Sequence, residues 1–444
     1  MHEGRLIPSA VVLSHKEQLG RLADGCPQAL PVAHVAGDPC LDQLHAGLAF
    51  RDTYRQAFGL LPGQRLVVVS STWGRGSVLG SPSADVLRRT LAELPAEEFR
   101  VLAAVHPNAW YGHGSWQMHS WLAPLLDAGL VLPTPETETW KAALCAADFL
   151  IGDHGSLTMY GCALGIPCVI GAFQESVVAP GSPMRRLGEL LPRLTSAQPL
   201  PDQLARARDD QSHDPELTSL RRSVTSEPGR SAALLRRLFY SWLDLPEPAH
   251  PAATRPIPVP ARPARPGHRL PQLPAMLVAT TVDDSGQEPI VSVRRFPGAL
   301  QRPHARHLGG AHLAADPDDP DPRWPRSADV LLLPRERCPR PGAVKWSEFT
   351  ARFPGCGLLA WEEADEGCGV LLADGTWLQA RWIDRPPWAS FSVAASAVHA
   401  WTQRCGARRS RPAPSPYPYP APSRLQVRAG EHLGPGLLEL VHAL

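Results

Sequence analysis

With 444 residues, 43% of them hydrophobic, the chain is long enough for two or three domains with buried cores. Its 44 basic and 43 acidic residues leave a net charge of +1, which excludes a global field drawing it to nucleic acid or anionic membranes. No run of about 18 apolar residues occurs, so no membrane-spanning helix is expected, and the opening Met1-His2-Glu3-Gly4-Arg5 leads us to expect no secretory signal.

Residues 10–14 and 32–37 are short apolar runs of strand character, joined by a helical stretch over 16–23. Residues 65–70 (RLVVVS) are β-branched and short, the pattern of a strand buried on both faces. A helix is predicted over 83–94, a strand over 100–105, a helix over 115–128 and a short strand over 130–132. Thr134 as N-cap and Pro135 at the first position predict a helix running to Ala146. Strands at 149–152 and 168–171 flank a helix at 157–164. This alternation predicts an α/β fold, a Rossmann-like doubly wound parallel sheet, over residues 61–245.

Residues 246–274 (LPEPAHPAATRPIPVPARPARPGHRLPQLP, read from Leu245) form a proline-rich stretch expected to be a semi-rigid linker. Beyond it, short strands within 276–295, 329–333, 357–361 and 369–381 and a helix over 393–403 predict a small α+β domain at 275–444. A second proline-rich run, 411–423, reads as a spacer rather than an SH3-type ligand. The nine cysteines lack framework or zinc-finger spacing, so free thiols in a reducing, cytoplasmic setting are expected. Only three of the 44 basic residues are lysines, and with 49 prolines the usage matches coding in a high-GC bacterium.

In an open α/β sheet, ligands bind outside the carboxyl ends of the strands. Three such ends carry polar loops. The first continues into Ser71-Thr72-Trp73-Gly74-Arg75-Gly76-Ser77, whose hydroxyls and glycines let backbone N–H groups approach a phosphate. The second continues into His106-Pro107-Asn108. The third continues into Asp153-His154-Gly155-Ser156 directly before a helix, where free N–H groups and the positive helix end face an anion. Taken singly these read equally as a turn, a structural histidine and an N-cap; their coincidence at successive strand ends favours a site. His113, His119, Trp110 and Trp116 read as packing or solvent-facing. Trp361, Trp377, Trp382 and Trp388, with Asp365, Glu366 and Asp374, read as aromatic core and hairpin turns rather than a carbohydrate-stacking face. No Gly-x-x-x-x-Gly-Lys-Ser/Thr occurs, which argues against a P-loop NTPase.

The order Gly37-Asp38-Pro39…Asp42, Ser71-Thr72-Trp73, His106-Pro107, Ala147-Asp148…Asp153-His154-Gly155-Ser156…Gly165…Pro167 resembles the GT-B superfamily. It is most similar to the CDP-glycerol glycerophosphotransferases, and its later part also resembles the UDP-N-acetylglucosamine 2-epimerases; the resemblance covers residues 9–174. It implies a transferase moving a sugar or polyol phosphate from a CDP-, UDP- or GDP-linked donor to a cell-envelope polymer. It implies a donor site of Ser71, Thr72, Trp73, Gly74, Asp153, Gly155 and Ser156, with His106 catalytic beside the pyrophosphate. Helix N–H groups and a protonated histidine would stabilise the leaving charge, with no metal or cofactor called for. The family's ribose-binding acid is replaced at the matching positions by Met159 and Tyr160, so the Tyr160 phenol is the expected substitute. Residues 1–60 then read as the tail of an acceptor-binding Rossmann-like domain. The alternative is a nucleotide-binding module without turnover, with an epimerase or hydrolase third.

Overall fold

The computed structural model describes residues 5–81, 85–261, 273–301, 311–337, 349, 351–364, 367–407, 423–430 and 432–442. Near the amino terminus, β1 (Val11–Leu13) and β2 (Ala33–Val35) pair in parallel with Val11 beside Ala33, and α1 (Gln18–Gly25) lies between them in sequence. Helices α2 (Pro39–Gly47) and α3 (Arg51–Ala57) lead into the main α/β unit.

That unit is built on β3 (Arg65–Ser71), which is followed by α4 (Val86–Glu93) and β4 (Phe99–Val105). Then come α5 (Pro107–His113), α6 (Ser115–Asp127), α7 (Thr139–Ala146), β5 (Phe149–Gly152), α8 (Ser156–Ala163) and β6 (Cys168–Ile170). Helices α9 (Pro183–Leu190), α10 (Leu200–Gln211), α11 (Pro215–Arg222) and α12 (Ser231–Trp242) close the unit. The four strands are parallel, in the order β4-β3-β5-β6. The apolar run of β3 serves both faces. Val67 and Val69 pack beneath α4, α6 and α10, while Leu66 and Val68 pack beneath α2, α7 and α8. This double burial is why the strand reads as an uninterrupted hydrophobic run.

The chain passes from β3 to β4 on one side, then crosses back to β5 on the other. Helices α4 and α8 therefore lie on opposite faces, and the loops after β3 and β5 diverge at a topological switch point.

Local departures from the sequence reading have local causes. Val131 makes only an isolated bridge to Leu102 where a strand over 130–132 was expected. The helix expected from Thr134 is broken. A 3₁₀ turn, Pro135–Thr137, ends at Glu138 in the left-handed region (φ 49°), and α7 starts afresh at Thr139 with no capping bond from Thr134. The first part of the proline-rich stretch is packed. Ile257 is 4% exposed, and its carbonyl accepts the Tyr54 hydroxyl at 3.0 Å.

Where a small α+β domain was expected, the described residues between 276 and 442 form a closed nine-stranded barrel around a helix. Its strands are β7 (Met276–Asp283), β8 (Ile290–Pro297), β9 (Ala311–Ala315), β10 (Val330–Leu333), β11 (Leu358–Glu362), β12 (Cys368–Leu372), β13 (Trp377–Asp384), β14 (Ser423–Arg428) and β15 (Gly436–His442). A short helix, α13 (Arg323–Ser327), precedes β10. The order around the wall is β10-β11-β12-β13-β15-β14-β8-β7-β9. Alternate side chains of all nine strands share one core with α14 (Phe391–Ala407). That helix carries Val393, Ala394, Ala395, Ser396, Ala397, Val398 and Ala400, small on every side and all buried. A helix without a polar face is stable only when surrounded, and these small side chains fit the narrow interior. Outside the barrel, Trp361 and Trp377 pack at 5.0 Å in a second core. Trp388 is buried in the first and donates to the Gly434 carbonyl at 3.1 Å. The Asp374 carboxylate accepts the Thr376 amide at 2.9 Å, making the turn expected there, whereas Asp365, Glu366 and residues 411–422 lie outside the described residues.

The barrel docks on the α/β unit through Arg295. Its guanidinium meets Glu97 at 2.6 Å and also reaches Ser392 at the start of α14, while its carbonyl accepts the Ala96 amide at 3.0 Å.

Candidate functional site

The switch point is organised by one carboxylate. Asp153 follows β5 directly and is wholly buried. Its Oδ2 accepts the Thr72 amide at 2.8 Å and the Val78 amide at 3.1 Å; its Oδ1 accepts the Gly155 amide at 2.9 Å. Burial pushes this carboxyl above its ordinary value, against the three amides that pull it down. Asp153 thus holds the loop after β3 against the loop after β5, and its own oxygens are engaged within the protein.

The junction leaves no room for a side chain. A Cβ on Gly155 would stand 2.9 Å from Asp153 Oδ1 and 3.1 Å from Thr72 Cβ. Gly155 is also the residue before α8, so no side chain caps that helix. Ser156, its first residue, is exposed. The start of an uncapped helix therefore lies beside Thr72, with its positive end facing outward. Among the described residues, His154 Nδ1 in the loop and Thr158 Oγ1 in the first turn of α8 are buried without a hydrogen-bond partner.

The loop after β3 is largely self-contained. Ser71 Oγ donates to the Thr72 carbonyl and accepts the Leu79 amide, both at 3.0 Å. Ser77 Oγ donates to the Gly74 carbonyl at 2.8 Å and accepts the Gly80 amide at 3.0 Å. Gly74 has φ 87°, which favours glycine. The Ser71 hydroxyl is therefore occupied in shaping the loop, while Trp73 is 52% exposed.

Trp73 tilts over the ring of His106 at a centroid distance of 4.3 Å, joining the first and second strand ends. The His106 amide donates to the Ser71 carbonyl at 3.0 Å, and its Nδ1 accepts the Asn108 amide at 3.0 Å, capping α5. With Nδ1 as acceptor, the proton of the neutral ring sits on Nε2. Burial holds the imidazole below its ordinary value, with Asp153 acting in the opposite sense. In this arrangement the ring offers its Nε2–H as a donor.

Tyr160 stands about one turn along α8 from Ser156. Its hydroxyl donates to Asp38 Oδ2 at 3.0 Å, while Asp38 Oδ1 accepts the Cys40 and Leu41 amides and caps α2. Its ring stacks on Trp140 at 6.2 Å, and burial with the nearby Asp38 pushes the phenol well above its usual range. The phenol proton expected at a ribose is thus given to Asp38 instead. Sequence reasoning missed Trp140 and its neighbour Lys141, whose ammonium meets Glu138 and Gln43, both at 2.9 Å. Only the left-handed backbone at Glu138 sets this corner, and a glutamate carries no sequence signal for it.

Two clefts lie elsewhere. One of about 450 Å³ opens at the amino ends of the strands, lined by Arg51, Arg65, Asp148 and Arg208. There Arg51 and Arg55 satisfy the carbonyls of Cys145, Ala146 and Ala147 and pair with Asp148, which explains the arginines structurally. The other, about 350 Å³, lies between α9 and α11. Neither touches the strand-end loops. Among the described residues, no group of three or more His, Cys, Asp or Glu is placed to hold a metal, and no helix is long and apolar enough to cross a membrane.

No family model and no curated protein matches the chain. Solved structures do. The chain is similar to the wall teichoic acid polymerase TagF. In a TagF structure soaked with CDPG, the match has 14% identity and a TM-score of 0.38, covering 53% of this chain and 57% of that one. Anabaena HepE in complex with UDP and glucose matches with 13% identity and a TM-score of 0.30, covering 54% of this chain and 64% of that one. The chain spans less than two thirds of the length of either protein.

Proposed function

We propose that the strand-end loops bind the diphosphate of a CDP-, UDP- or GDP-linked donor, and that the chain acts as a GT-B-like transferase of a sugar or polyol phosphate. One observation carries this reading: Asp153 pins Thr72 against Gly155 at the uncapped start of α8, and the residue after Thr72, Trp73, lies over the His106 ring. Backbone N–H groups held in that way need no reorganisation to receive negative charge. When the donor bond breaks, charge grows on the leaving phosphate. The Ser156 amide at the start of α8 and the Nε2–H of His106 are suited to stabilise it. Asp153, Ser71 and Gly74 shape the site, and Thr72, Trp73 and Ser156 face the ligand. Tyr160 acts indirectly, by holding α8 to α2. The acceptor in this reading is a cell-envelope polymer.

Calorimetric titration with CDP-glycerol, UDP-glucose and GDP-mannose tests the proposal. Binding of at least one by the wild type, weakened in His106→Ala and Ser156→Ala, is the expected result. Binding of none overturns it. A second reading, a nucleotide-binding module without turnover, is favoured by the engagement of Asp153 with three amides, which leaves it unsuited to act as a base. Donor binding without transfer to any envelope-type acceptor would select that reading.

A further inference from the structure

Between Val101 and Leu126 the sequence contains no Lys, Arg, Asp or Glu. This stretch leaves the carboxyl end of β4 and forms α5 and the first three turns of α6. A segment so poor in charge is ordinarily buried, yet here much of it faces water. Tyr111 is 60% exposed, Trp116 81% and Trp121 54%. His113 is exposed as well and stands edge-on to Trp121 at 4.9 Å. Met118 and Leu122 are what α6 buries, so the exposed aromatics are not needed for its packing. At the near end of the patch, His106 caps α5 and carries Trp73 on its ring. The exposed aromatics therefore lie on the two helices, α5 and α6, that lead away from the proposed donor site.

We infer that this surface binds a neutral, polyhydroxylated chain, that is, an oligosaccharide, and that it is the acceptor platform of the chain. Two observations select this occupant. The first is charge. A polyanionic polymer or an anionic membrane would be met by Lys or Arg, and the segment has none; a neutral ligand requires none. The second is composition. The large exposed apolar residues between Val101 and Leu126 are all aromatic, with no exposed Leu, Ile, Val or Phe among them. An interfacial membrane helix buries a continuous apolar face in which aliphatic residues accompany the aromatic ones. Here the aromatics alternate with the exposed polar groups Gln117, His119 and Ser120. Flat rings receive the C–H faces of sugars, and the intervening donors and acceptors meet the hydroxyls. The acceptor role rests on the donor-site reading above; the saccharide affinity does not.

The test is made on the full chain. Maltohexaose, cellohexaose and chitohexaose are titrated by calorimetry into the wild type and into a Trp116→Ala/Trp121→Ala double variant. Phosphatidylcholine vesicles and polyglycerol phosphate are titrated in parallel, and a nucleotide-linked donor is titrated separately. Both tryptophans are exposed, so the variant is expected to keep the wild-type unfolding temperature. The expected result is binding of at least one hexaose by the wild type, weakened about tenfold or more in the variant, with donor affinity unchanged. Donor binding without any hexaose binding overturns the inference and leaves the donor site standing. Hexaose binding that survives the double substitution overturns it too, as does binding of vesicles or polyglycerol phosphate in place of the sugars. Hexaose binding without donor binding would keep the platform and remove the transferase reading.

Discussion

Asp153 accepts the Thr72 amide at 2.8 Å across the one point in the sheet where the strand order reverses. The two residues are 81 positions apart. The contact converts two surface loops into a single fixed edge with the start of α8 between them.

Replacing Asp153 with Ala should therefore act on both stability and binding. It leaves the amides of Thr72, Val78 and Gly155 without their acceptor in a buried place. Each unsatisfied buried donor costs about 1–3 kcal/mol, so chemical denaturation should show a loss of several kcal/mol. Asp153→Asn keeps the shape but loses one acceptor oxygen, and should fall between the variant and the wild type.

Gly155→Ala separates site geometry from overall folding. The added methyl would meet Asp153 Oδ1 at 2.9 Å and Thr72 Cβ at 3.1 Å. Overpacking of this kind costs about 1–3 kcal/mol, which a chain with this much buried core should survive. Donor affinity, measured by calorimetry, should drop by about tenfold or more, because an affinity change of that size needs only about 1.4 kcal/mol.

The barrel carries its own pH dependence. His312, 4% exposed, has Nε2 3.1 Å from Ser396 Oγ and its ring 4.5 Å from that of His399. Burial and the neighbouring His399 hold His312 well below its ordinary 6.5; burial also lowers His399, with Asp329 opposing. The folded state thus disfavours protonation of both rings, while the unfolded chain takes up protons near 6.5. Stability is full above that pH and is lost as pH falls below it. Denaturation at pH 7.5 and 5.5 should show this loss in the wild type and a smaller one in His312→Phe.

Arg295 couples the two units. Its partner Glu97 is 5% exposed on its side chain, and Arg295 itself 17%. Removing one member of such a pair strands the other, at about 3–5 kcal/mol. Glu97→Ala should therefore split a single unfolding transition into two, or lower the barrel's own transition, when followed by calorimetry. A single unshifted transition would show that the docking does not depend on this pair.

The parallel sheet was legible in the sequence because its strands are buried on both faces, so 66–69 is apolar throughout and followed by a polar loop. The barrel was not. Its wall joins β14 to β8 and β13 to β15 across long stretches of chain, and no local period records such a closure. The helix that became α14 was visible, and its run of Ala, Ser and Val on all sides was the available sign that it would be enclosed. At the site, the strand-end loops could be located from their position, but not the division of labour within them. Asp153 reads as a ligand-facing residue until Thr72 and Val78 are seen to occupy it, and Tyr160 reads as free until Asp38 takes its proton. Both assignments depend on partners at least 75 residues distant.

The most direct measurement follows the backbone amides of the intact chain by transverse-relaxation-optimised NMR while CDP, UDP and GDP are added in turn. The expected result is saturable binding of at least one diphosphate, with the largest shifts at Thr72, Gly155 and Ser156 and a change at the His106 ring. Shifts confined to the cleft at the amino ends of the strands, or no saturable shift with any of the three, would contradict a donor site at the switch point.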